Sequence, residues 1–213
     1  MQIAILLFDR LTVLDAIGPY QVLNNLPDSQ VTFVGERKGL IRDGDTGLGL
    51  MANAELSEVP SPDLILVPGG AGQNDLMDDG PVHEWLRAAD ATSTWTTSVC
   101  TGSLILAAAG LLDGRKATSH WLAVDTLADY GAIPTRERVV VDGKYVTGAG
   151  VSAGIDMALS LVATIAGDEF AQLVQLGIEY DPQPPFNAGS PATAPETLVA
   201  RARSKSRFIL QGS

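Results

Sequence analysis

The chain is short of the residues on which much of protein chemistry depends. It has one cysteine, Cys100, and two histidines, His83 and His120, in 213 residues. A lone cysteine cannot form an internal disulfide, so a reducing, cytoplasmic setting is expected, and metal sites built on paired cysteines are excluded. There is no H-E-x-x-H segment and no pairing of Cys and His ligands, so neither a zinc site nor any other metal is expected. Basic residues are scarce: 14 Lys and Arg stand against 25 Asp and Glu, for a formal charge of -11 and a pI near 4.4. Such a surface repels phosphate backbones and argues against a nucleic-acid partner. Asp28, Asp43, Asp45, Asp78, Asp79 and Asp90 read as its solvated acidic groups. Long hydrophobic runs are missing too. The N-terminal apolar stretch, residues 3–8, has no basic flank and is too short for a signal or a membrane span. Internal repeats and low-complexity segments are also absent from the sequence.

What is present points to an α/β protein. Apolar residues make up 46% of the chain and glycines number 22, which suits many tight strand–helix turns. A length of 213 residues suits one domain, 1–213. Continuous aliphatic runs predict buried strands at 3–8, 31–34, 63–67 and 95–99, with short strands near 48–51. Within 11–26 the apolar positions are Leu14, Ile17, Val22 and Leu26. Pro is tolerated in a first helical turn, so Gly18-Pro19 places the helix start near Gly18 and leaves Asp15 on the loop or first turn after strand one. Helical patterns follow at 82–91, 102–109, 120–130, 152–166 and 168–176; the nearly all-apolar 152–166 is expected to be buried. Asp142-Gly143 marks a hairpin between 136–141 and 144–147. Residues 180–195 carry five of the twelve prolines and read as an ordered wrap or extended tail, before a basic helix at 196–208.

Strands alternating with helices imply a largely parallel, flavodoxin-like (Rossmann-like) sheet sandwiched by helices, in which sites form at the carboxyl ends of strands. Asp15, Gly69-Gly70 and Cys100 would then open on one rim. Cys100 lies between a strand end and the small-residue start of a helix, in Ser98-Val99-Cys100-Thr101-Gly102. That context builds a nucleophile elbow, with amides and a helix dipole directed at the sulfur. A buried, inert thiol is the competing interpretation. Pro68-Gly69-Gly70-Ala71-Gly72 matches neither nucleotide-binding glycine pattern. It is either a plain tight turn or a set of amides directed at charge developing beside Cys100.

Asp15 is the only acidic residue in 11–20, either a helix cap or a carboxyl group beside the thiol. Two like charges there would raise both pKa values, so one group should hold a proton. A helix N-terminus contributes on the order of 0.3–2 kcal/mol to a charged sulfur, which favours a thiolate beside a protonated Asp15. His83 reads as a surface residue at a helix start. His120 could sit on the active rim or simply begin a helix.

Leu-Val-Pro-Gly-Gly (66–70), Ser-Val-Cys-Thr-Gly (98–102), Ala-Ala-Gly-Leu-Leu-Asp-Gly (108–114) and Ala-Thr-Ser-His-Trp (117–121) resemble the ThiJ/PfpI superfamily. Within it the chain is most similar to the isocyanide (isonitrile) hydratases. Leu-Asp-Ala-Ile-Gly-Pro (14–19) and Pro-Pro-Phe-Asn-Ala-Gly-Ser-Pro (184–191) carry that narrower likeness. The resemblance implies that Cys100 is a nucleophile attacking an isocyanide carbon and that Asp15 is the acid/base. It implies that amides of Gly69 or Gly70 and of Thr101 orient water or the adduct. It also implies a homodimer that needs no cofactor. Superfamily proteases and deglycating enzymes commonly place His after the Cys, where this chain has Thr101. Class I glutamine amidotransferases need a downstream His, and none follows His120. A glyoxalase-like activity on small electrophiles, or a redox-sensing cysteine domain, are the alternatives. Gly148-Ala149-Gly150 departs from more glycine-rich relatives, and Ala149 is where a change in the mobility or packing of the following helix would arise.

Overall fold

A computed structural model of the chain describes residues 1–44 and 47–205. The aliphatic runs become β1 (Gln2–Leu6), β2 (Gln30–Gly35), β6 (Leu64–Val67) and β7 (Trp95–Val99). Shorter strands are β3 (Gly39–Arg42), β4 (Gly49–Ala52), β5 (Ala54–Glu55), β8 (Lys116–Ala117), β9 (Ile133–Pro134), β10 (Val139–Asp142) and β11 (Tyr145–Gly148). The helices are α1 (Val13–Leu23), α2 (Pro81–Asp90), α3 (Gly102–Ala108), α4 (Ala153–Ala166), α5 (Asp168–Gly177) and α6 (Glu196–Ser204). Residues 206–208 of the expected last helix lie outside the described residues, as does Asp45.

Seven strands form the central sheet in the order β10-β11-β7-β6-β1-β2-β5. All neighbours are parallel except β10, which returns antiparallel along β11 through a two-residue turn at Gly143-Lys144. β1 and β6 are wholly aliphatic at their centres and fully buried, as expected for strands covered on both faces. The order reverses between them. From β1 the chain steps one way to β2 through α1, and from β6 it steps the other way to β7 through α2. Right-handed crossovers in opposite directions place α1 and α2 on opposite faces. α4 packs on α1 and α5 on α4, while α3 packs with α2. The crevice between β1 and β6 is therefore a topological switch point, where such sheets hold their sites. No helix among the described residues is long and apolar enough to cross a membrane.

Several sequence expectations need correction. α1 begins at Val13, not near Gly18, so Pro19 lies inside the helix and Asp15 in its first turn. Tertiary packing accounts for the longer helix: a Cβ on Gly18 would stand 3.2 Å from Ile155, and one on Gly154 would stand 3.1 Å from Pro19, so these small residues let α1 and α4 approach closely. His83 is buried rather than superficial, on the inward stripe of α2 with Val82, Trp85 and Leu86. Burial lowers its pKa, and a bond to the Leu76 carbonyl opposes that shift. Asp90 is not solvated: it accepts bonds from Thr96 and Tyr145 and pairs with Lys144 under the sheet. α4 buries one stripe rather than its whole surface. Residues 120–130 form turns and a 3-10 helix (Val124–Tyr130), not an α-helix. Residues 181–193 run exposed over the surface.

Candidate active site

β7 ends at Val99, and the chain reverses at Cys100 before α3 starts two residues later. Cys100 has φ +58, the left-handed region that non-glycine residues seldom occupy. This is the strained elbow expected of a nucleophile held up from a strand end. Room for so sharp a turn comes from glycine. A Cβ on Gly102 would collide with the Val67 carbonyl oxygen, and one on Gly69 would lie 2.6 Å from Thr101 Oγ1.

The structure brings Asp15, Gly69, Gly70, Cys100 and Thr101 together on the carboxyl rim at the switch point. Asp15 and Cys100 are both fully buried. Asp15 Oδ2 accepts the Gly69 N–H at 3.0 Å, and the carboxyl group lies close enough to Cys100 for each to shift the other's titration. The other carboxyl oxygen has no hydrogen-bond partner among the described residues. Thr101 is buried, and its Oγ1 accepts the Gly70 N–H at 3.0 Å. Both glycine amides are thus engaged with side chains, one holding the carboxyl group and the other the threonine.

Two amides that do face the sulfur are those of Thr101 and Val151. Val151 follows β11 and has φ +29. The Cys100 N–H is shared between the Gly148 and Ala149 carbonyls, at 3.1 and 2.8 Å. The Gly148-Ala149-Gly150-Val151 segment therefore contacts Cys100 at both its backbone and its sulfur. The sequence marks this segment by the lower glycine content of 148–150 and by the fit of 150–156 to the family, not by any donor. Val151 left no signal, because a backbone N–H has no residue identity.

Electrostatics alter the expected charge state. Burial is the main cause pushing the Cys100 thiol well above its ordinary pKa; the nearby Asp15 charge adds to it, and the Thr101 and Val151 amides oppose it. Burial likewise raises Asp15 to about 7, against the bonds from Gly69 and Cys100. With both acids pushed up, the pair holds at most one negative charge near neutral pH, and the thiol is not freely ionised. Desolvation opposes the resting thiolate that a helix start favours, and the seven-residue α3 does little to offset it.

His120 is half-buried with its ring against Gly150, where a Cβ would come within 2.8 Å of Cδ2. Its Nδ1 accepts the Leu122 N–H at 3.3 Å, and burial lowers its pKa. No cluster of three or more His, Cys, Asp or Glu suited to a metal occurs among the described residues.

Comparison with known proteins agrees with this fold. The family described as DJ-1/PfpI matches residues 1–164. The chain is 48% identical over 206 residues to an isonitrile hydratase from Pseudomonas putida, covering 96% of this chain and 90% of that protein. A crystal structure of a ThiJ/PfpI family protein from Pseudomonas syringae has TM-score 0.92 and 40% identity, covering 95% of this chain and 84% of that one. An HTH-type transcriptional regulator from Pseudomonas aeruginosa is 35% identical over 59% of this chain, which spans 38% of the regulator.

Proposed function

This chain belongs to the DJ-1/PfpI family, and from that membership we propose that it hydrates isonitriles, R–N≡C, to N-substituted formamides with Cys100 as nucleophile and Asp15 as acid/base. One observation carries the proposal: a buried carboxyl group with a pKa raised to about 7 sits beside the lone thiol at a strained elbow. The similarity to an isonitrile hydratase over nearly the whole of both chains supports the substrate class.

Asp15 takes the thiol proton as sulfur bonds to the terminal carbon of R–N≡C, and returns it to that carbon. The product is a thioimidate, R–N=CH–S. Water then adds to the same carbon, giving up a proton through Asp15 while nitrogen gains one. Collapse of R–NH–CH(OH)–S breaks the C–S bond, releases R–NH–CHO and returns the hydroxyl proton to sulfur through Asp15. A soft sulfur suits an isonitrile carbon, and a group titrating near neutral pH suits repeated transfers in both directions. Thr101 and Val151 N–H groups stabilise charge on sulfur, while Gly69 and Gly70 hold Asp15 and Thr101 in place. His120 packs beside the segment that grips Cys100. The working unit is a homodimer in the cytoplasm.

Incubation with an aryl or alkyl isonitrile is expected to release formamide, with a transient mass gain of one substrate on Cys100. Cys100→Ala should abolish turnover. Asp15→Asn, which keeps shape and removes the titrating proton, should lower kcat by roughly 10²–10⁴-fold. Turnover by Cys100→Ala, or parental kcat in Asp15→Asn, sinks the assignment. Turnover of a small dicarbonyl but of no isonitrile would move the chain to the glyoxalase-like reading.

A further inference from the structure

The carbonyl of Cys100 receives two side-chain hydrogen bonds. Ser103 Oγ donates to it at 3.1 Å from within the first turn of α3. Ser119 Oγ donates to it at 3.0 Å from the segment after β8, nineteen residues away. Both serines are buried, Ser103 completely and Ser119 to 2% exposure. Side-chain hydroxyls buried and spent on one carbonyl are an expense that needs a reason, because the strand and helix ladders satisfy most backbone groups by themselves.

That carbonyl belongs to the same planar peptide as the Thr101 N–H, which favours negative charge on the Cys100 sulfur. The oxygen and the hydrogen of one trans peptide point in opposite directions, so holding the oxygen fixes where the N–H points. Donation to the oxygen also polarises the amide and strengthens its N–H as a donor. The residue involved is the strained one, at φ +58, whose backbone would otherwise relax towards ordinary angles. Ser119 is itself anchored from both sides. The preceding Thr118 N–H donates to Thr147 Oγ1 at 2.9 Å on β11, and the following His120 packs on Gly150.

We propose that Ser119 is a positioning residue for Cys100: with Ser103 it clamps the Cys100–Thr101 peptide so that the Thr101 N–H stays on the sulfur. Sulfur is then a better nucleophile than an unclamped elbow would provide. The inference rests on Cys100 being the reacting group, but its test does not need an isonitrile.

The test is the rate of Cys100 alkylation by iodoacetamide as a function of pH, in parent, Ser119→Ala, Ser119→Thr and Ser103→Ala. Cys100 is the only cysteine, so the signal has a single source. Loss of one hydrogen bond in the clamp should slow alkylation at about pH 8 by roughly threefold to tenfold and move the profile up by about half to one unit. Ser119→Thr, which keeps the hydroxyl, should restore much of the parent profile. A residue that merely fills space would leave the profile in place. If Ser119→Ala does not fold, Ser103→Ala acts on the same oxygen and should shift the profile in the same direction. Folded Ser119→Ala, or Ser103→Ala in its place, with the parent profile overturns the proposal. An isonitrile assay that fails while the profile shifts would overturn the proposed reaction and leave the clamp standing.

Discussion

At the scale of single residues, Asp15 stores free energy against the fold. Its pKa is raised from 3.8 to about 7 by burial. Between those values the native protein keeps a proton that the unfolded chain has released, so raising pH through the window lowers stability. A shift from 3.8 to about 7 is worth on the order of 4 kcal/mol as an upper bound. Asp15→Asn removes this titration and still offers an oxygen to the Gly69 N–H. Urea unfolding should therefore find Asp15→Asn more stable than the parent at about pH 8, with the gap closing towards about pH 4. An equal gap at both pH values would falsify burial as the source of the shift. The identities of Asp15 and Cys100 were legible as candidates because each is the lone acid or thiol of its stretch. Their charge state was not. A helix start promised a thiolate, but desolvation is set by the surrounding residues, which spacing along the chain does not reveal.

At the scale of elements, the elbow works because β6 and α3 touch through glycine. A methyl group on Gly102 would collide with the Val67 carbonyl oxygen and lie 2.8 Å from that of Pro68. Backbone oxygens of a central strand cannot swing aside as a side chain can. Gly102→Ala is expected to cost about 3 kcal/mol, at the top of the overpacking range, and to lower turnover further by displacing Thr101. Chemical denaturation and kcat measured on the same preparation check both halves. α1 shows the limit of local rules. Gly18-Pro19 reads as a helix start because Pro lacks an N–H, yet the helix begins at Val13 and carries Pro19 inside. Burial of Ala16, Gly18, Pro19, Val22 and Leu23 outweighs one absent hydrogen bond. The Asp142-Gly143 hairpin was legible, since a short turn constrains itself locally.

At the scale of the molecule, apolar surface is left uncovered in one chain. Phe186 is 78% exposed and Leu176 is 77% exposed, and α6 buries none of its residues. A second copy of the chain suits such a surface, in keeping with the proposed homodimer. Sedimentation equilibrium at micromolar concentration should then return twice the 22.3 kDa of one chain, and a species of 22.3 kDa would remove the dimer from the proposal.

By itself the sequence determined the alternation of buried strands and helices, the parallel sheet and the identity of the thiol and the acid, because these follow from hydrophobic period and residue type. It also carried the family in its Pro-Gly-Gly and Cys-Thr-Gly motifs. Only the tertiary structure decided that Asp15 meets Cys100 across the β1–β6 switch point and that Gly69 and Gly70 serve side chains. Only there do Val151 and Ser119 join the site from distant segments. Those contacts link residues between 19 and 85 positions apart through backbone atoms and buried side chains, whose partners are chosen by three-dimensional packing and not by any local pattern.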